Sequence, residues 1–127
     1  MLQYRVSPVA EADLEGILSW TLQTFGNQSR MRYYALISQA ILDVADDPQR
    51  TGCLSRDILT AGASIYHLTH SRLHVPPASG RVKRPRHFLL FRIVDDGVLE
   101  IGRILHDSVE LAQHIPQGYS AADPDAD

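Results

Sequence analysis

The chain has 127 residues, 44% hydrophobic and 21% charged, which gives one ordinary core and leaves little room for a second domain. Its single cysteine, Cys53, excludes an internal disulfide and a Cys-based zinc site, and fits a reducing cytoplasm. A net charge of -3 excludes a uniformly basic nucleic-acid binder, and no apolar run approaches the ~20 residues of a membrane span; no signal peptide is expected either.

Residues 2–6 alternate apolar and polar and predict a short strand. Ser7-Pro8 follows, a good N-cap and a residue suited to the first helical position. Ala10, Leu14, Ile17, Leu18 and Phe25 then recur at helical spacing with Trp20 beside them, and Gly26-Asn27 predicts the stop. A second helix is expected from Gln28-Ser29, with Tyr34, Ile37, Ile41, Val44 and Ala45 on its apolar face, ending at Asp46-Asp47-Pro48. Two such helices joined by a Gly-Asn turn form an antiparallel hairpin.

The second half supplies the surface on which that hairpin packs. Residues 64–69 and the aromatic-rich residues 87–94 predict strands. Asp95-Asp96-Gly97 signals a hairpin turn, and residues 98–105 return as a strand. In that last strand alternation puts Leu99, Ile101 and Arg103 on one face and Val98, Glu100 and Ile104 near the other. A short helix is expected over residues 108–114, and the acidic, apolar-poor residues 117–127 are expected to be a disordered tail outside a single domain of residues 1–116. The order predicts an α+β fold: an N-terminal strand, then a helix hairpin on a mainly antiparallel sheet, then a short C-terminal helix.

Residues 71–86 read as a long, proline-broken loop, of a length that is usually functional or disordered. Arg81, Lys83, Arg84 and Arg86 make it basic, and the whole interval between Asp57 and Asp95 holds no acidic residue. The loop is a candidate for phosphate contact or for an acidic protein surface; it lacks interleaved aromatics for base stacking.

His106, Asp107 and Ser108 are the residue types of a nucleophilic triad, but neighbours at a strand end point apart, and no Gly-x-Ser-x-Gly elbow is present. Asp107 or Ser108 is better suited to cap the final helix, since Glu110 stands three residues after Asp107. His67, His70, His74 and His87 form no firm ligand set: the spacing of His67 and His70 on a strand puts them on opposite faces, so no metal and no cofactor are expected.

The layout, with Tyr4-Arg-Val-Ser7, Ala10, Ala12, Asp13, Leu14, Asp47-Pro48, Phe91-Arg92, Arg103-Ile-Leu-His106, Glu110, Leu111 and His114, resembles the ParE branch of the RelE/ParE toxins of bacterial type II toxin–antitoxin systems. The resemblance runs from Tyr4 to about Ile115. It implies a cytoplasmic toxin that inhibits DNA gyrase by binding. It further implies neutralisation by a ParD-like, ribbon-helix-helix antitoxin and contact with operator DNA only through that antitoxin. The alternatives it leaves open are a RelE-like nuclease cutting messenger RNA on the ribosome and a toxin-like protein that has lost toxicity.

Two features depart from the pattern. Gly62 is followed by Ala63, Ser64 and Ile65 where relatives often carry an arginine, and the 71–86 loop is longer than a tight hairpin. The candidate partner-binding residues are Arg81, Lys83, Arg84, Arg86, Arg92, Arg103, Trp20 and Tyr33. The last two sit beside the core stripe and could equally complete it, core being the better reading for Trp20. A nuclease would need a base, an acid and cations, for which Arg92, Arg103 and His106 are the candidates.

Overall fold

Ser7 sets the start of the first helix. Its hydroxyl accepts the Ala10 N–H at 3.0 Å and donates to the Gly102 carbonyl at 3.0 Å, so one side chain caps the helix and ties it to the sheet. The computed structural model describes residues 1–57, 61–94 and 96–109. Strand β1 (Tyr4–Val6) leads through this cap into α1 (Pro8–Phe25), and α2 (Asn27–Asp46) follows after one residue. That residue, Gly26, has φ +96°, a left-handed conformation that favours glycine, and its N–H closes α1 on the Leu22 carbonyl. β2 (Cys53–Ser55), β3 (Ser64–His67), β4 (His87–Ile93) and β5 (Leu99–His106) complete the elements.

The five strands form one mixed sheet in the order β1-β5-β4-β3-β2, with β1 parallel to β5 and the other neighbours antiparallel. The fold is thus α+β, with the helix hairpin on one face, as the sequence predicts. The expected final helix, beyond Val109, and the segment 117–127 lie outside the described residues.

The main core lies between α2 and the sheet. Tyr33, Ile37, Ala40, Ile41 and Val44 pack against Leu89, Phe91, Leu99, Ile101 and Ile104. Here the sequence reading needs correcting by one position: Tyr34 is 52% exposed, and Tyr33 is the aromatic residue of the buried stripe. α1 packs on α2 and β5 and buries only Ala10 and Thr21 fully. Phe25 and Trp20, expected on or beside the core stripe, are exposed and meet each other edge to face at 5.6 Å.

Two further expectations change for physical reasons. In the β4–β5 ladder Phe91 faces Ile101 and Leu90 faces Arg103, so Gly102 is an extra residue in β5. This bulge turns Ile104 onto the core face with Leu99 and Ile101 and takes Arg103 off it. The chain after β3 is not a structureless loop either. Residues 68–74 and 77–79 form short 3-10 turns, and Leu68, Ser71 and Val75 are buried. His70 therefore lies on a turn, not on a strand with His67.

Asp43 of α2 holds this segment in place. Its carboxylate accepts hydrogen bonds from Ser71 Oγ, from His74 Nδ1 at 2.7 Å and from Gln39 Nε2 at 2.9 Å, while Ser71 Oγ also pairs with Tyr66 OH at 2.8 Å. Burial disfavours the Asp43 charge, but the bonds from His74, Ser71 and Gln39, with Arg50 nearby, outweigh it and hold the carboxyl below its ordinary range.

Candidate functional site

A cleft of about 980 Å³ opens where α1, the first turns of α2, residues 81–86 and the end of β5 meet. α1 supplies one wall through Ala12, Gly16, Ile17 and Trp20. The facing wall is the basic segment, carrying Arg81, Lys83, Arg84 and Arg86 with Val82 between them. Arg32 and Tyr33 come from α2, and Ile104, Leu105 and His106 from β5.

Local contacts position the basic wall. Gly80 turns with φ +79°, and a Cβ there would lie 2.5 Å from Arg32 Nε, so only glycine lets the segment close on α2. Arg72 Nε donates to the Val82 carbonyl at 2.7 Å, and the Arg86 N–H donates to Tyr33 OH at 3.0 Å. With residues 68–75 anchored on Asp43, the four exposed basic side chains of residues 81–86 are presented from a fixed backbone.

A polar column stands at the sheet end of the cleft. Tyr33 OH lies 2.6 Å from His87 Nδ1, and the His87 ring meets His106 edge to face at 5.2 Å. Burial, then the neighbouring His106, pushes His87 down to about 4, and burial pushes Tyr33 up to about 12. Both are therefore neutral near pH 7, and the phenol donates to an unprotonated Nδ1.

Next to this column, Asp107 accepts from Arg86 at 3.1–3.3 Å and meets His67 Nε2 at 3.1 Å. The bond from Arg86 is the largest influence on its carboxyl, which sits below the ordinary range. This corrects the capping expectation: the Asp107 carboxylate is spent on side chains. The cations of residues 67 and 86 lie beside it because β3, β4 and β5 all end there.

His106 Nδ1 lies 2.7 Å from Ser108 Oγ, 3.1 Å from the Ser108 N–H and 3.6 Å from Asp107 Oδ1. A triad needs the serine and the acid on different ring nitrogens. Here both face the same nitrogen, so the contact serves a tight turn and cannot relay a proton from serine towards the acid.

The structure thus gathers part of the expected set. Trp20, Tyr33, Arg81, Lys83, Arg84, Arg86 and His106 line one cleft. Arg103 binds Asp13 of α1 through two bonds of 2.7 and 2.9 Å, and Asp13 also accepts the Ile104 N–H. Arg92 stands five residues along β4 from His87, roughly 17 Å away, and lies 3.9 Å from Glu100. The two arginines do not converge with His106.

Sequence reasoning missed Arg32, His87 as a cleft residue, and Gly16. Only Gly16 carried a signal of its own, as a glycine in the middle of a helix. Among the described residues no group of three or more His, Cys, Asp or Glu side chains could hold a metal ion, and no helix is long and apolar enough to cross a membrane.

A family model described as the ParE toxin of the type II toxin–antitoxin system, parDE, matches residues 4–110. No match was found among curated proteins.

Proposed function

The chain belongs to the ParE toxin family of type II toxin–antitoxin systems, and from that premise we propose that it acts by binding, as an inhibitor of DNA gyrase neutralised by a ParD-like antitoxin. Family membership brings the antitoxin partner; its ribbon-helix-helix character, the gyrase target, the cytoplasmic setting and operator contact through the antitoxin are parts of the proposal.

What supports inhibition by binding is the way the reactive groups of the cleft are used. Tyr33 is spent on His87, Ser108 on His106, and Asp107 on Arg86 and His67. Arg103 is committed to Asp13. A nuclease of the 2′-hydroxyl type needs an acid, a base and a cation aimed at one phosphate. The cleft instead offers an apolar floor and exposed cations, the chemistry of a docking surface.

The order of events in a cell expressing the chain without its antitoxin tests this reading. Pulse labelling is expected to show DNA synthesis failing before protein synthesis. Protein synthesis failing first, with fragmented messenger RNA, selects the nuclease and overturns the proposal. Normal growth with both syntheses intact selects a toxin-like protein without toxicity.

A further inference from the structure

Gly16 stands in the middle of α1, where glycine costs about 1 kcal/mol relative to alanine. Its backbone does not need glycine, since it is not among the residues of positive φ. Its neighbours do not need it either: a Cβ there would meet nothing within 4 Å. What Gly16 does is flatten the cleft wall. Ala12 lies one turn before it and Trp20 one turn after it, all on one face and all lining the cleft. Small residues in such a row let a second backbone come close, to helix separations of about 8 Å.

The facing wall limits what that backbone can carry. Among the described residues no ion pair engages Arg32, Arg81, Lys83 or Arg84, and the one carboxylate lining the cleft, Asp13, is held by Arg103. On a chain of net charge -3 these cations are a local feature, complementary to an acidic segment. The length is also defined: from Ala12 to Phe25 the wall runs roughly 20 Å, three to four helical turns. Trp20 and Phe25, 59% and 64% exposed, leave apolar surface open at its far end. A nucleic-acid strand suits the cleft less well. Ile17, Val82 and Leu105 offer no ring faces for stacking, and the Trp20–Phe25 pair lies at one end only.

We propose that the cleft is the docking site for an amphipathic, acidic helix of the neutralising partner. The helix lies along α1 with its apolar face over Ala12, Gly16 and Trp20 and its carboxylates against Lys83 and Arg84. This rests on the antitoxin partnership of the family and not on the identity of the toxin's target.

The probe is a synthetic peptide of about 14 residues, matched to the wall by the helical rise, with leucines along one face and glutamates along the other. A control replaces the glutamates with lysines. The full chain is titrated with each, read by the emission of Trp20, its only tryptophan.

The glutamate peptide is expected to bind saturably with a blue shift, and the lysine peptide about tenfold or more weakly. Gly16→Leu, which projects into the cleft, is expected to cut affinity about tenfold or more without lowering the thermal midpoint. The surface pair Lys83→Glu/Arg84→Glu, which leaves α1 intact, is expected to reverse the preference between the peptides.

Equal binding of both peptides overturns the proposal, as does unchanged preference in the charge-reversed pair. Tighter binding of single-stranded RNA that displaces the peptide assigns the cleft to nucleic acid and also overturns it. So does a Trp20 emission that is already blue in the free chain and reddens in Asp123→Asn/Asp125→Asn/Asp127→Asn, which assigns the cleft to the chain's own acidic end. Growth arrest on expression is read separately: arrest without peptide binding sinks the docking site alone, and binding without arrest sinks the toxin reading alone.

Discussion

His87 and Asp43 are the residues whose charge states the fold controls most directly. His87 is held neutral by burial, with a pKa pushed from 6.5 to about 4. The unfolded chain takes up a proton below 6.5 and the folded chain does not until about 4, so stability falls as pH drops through that window. Discounting for partial exposure, the loss is about 2 kcal/mol. Denaturant titrations at several pH values check this, and His87→Gln is expected to flatten the slope between 6.5 and 4.

Asp43 behaves in the opposite chemical sense. Its folded pKa lies below the unfolded one, so its contribution is complete above the ordinary carboxylate range and drains away as pH falls through the lower, folded value. Asp43→Asn keeps the shape but loses the charge that draws His74 and Ser71, and is expected to cost about 2 kcal/mol at pH 7 in chemical denaturation. Neither role was legible in the sequence. Tyr33 lies 54 residues from His87, and Asp43 lies 31 from His74. Only the folded chain brings such pairs together.

At the scale of elements, local signals were read well and non-local ones poorly. Ser7-Pro8 and Gly26 bound α1 because caps act within a few residues. β2 was missed because three residues, Cys53–Ser55, are too few to show alternation; their partner β3 defines them. The bulge at Gly102 was missed for the same kind of reason: it exists only in the alignment of two strands, and it moved Ile104 and Arg103 to faces opposite those expected. The stripe of α2 was misplaced onto Tyr34 because both tyrosines fit helical spacing and the choice of Tyr33 depends on His87. Two glycines of the hairpin test the element-level account. Gly16→Ala is expected to raise stability by about 1 kcal/mol, since the site is open and helical. Gly26→Ala is expected to lower it by about 1 kcal/mol or more, since φ is +96° there. Thermal unfolding of the pair of variants reads both signs.

For the whole molecule, the cleft is the feature that composition and spacing could not assemble. The sequence named Trp20, Tyr33 and the basic run separately, and it treated the segment carrying that run as unstructured. Folding brings them to one surface because Asp43 anchors residues 71–74, Gly80 fits against Arg32, and Tyr33 receives the Arg86 N–H. The same folding disperses the nuclease candidates, placing Arg92 by Glu100 and Arg103 by Asp13. A molecule built this way is suited to hold another protein. The most direct measurement is a supercoiling assay in which purified chain is titrated against DNA gyrase, with ribosome-bound messenger RNA assayed in parallel. The account predicts saturable loss of supercoiling with the RNA left whole; unimpaired supercoiling with cleaved RNA would contradict it.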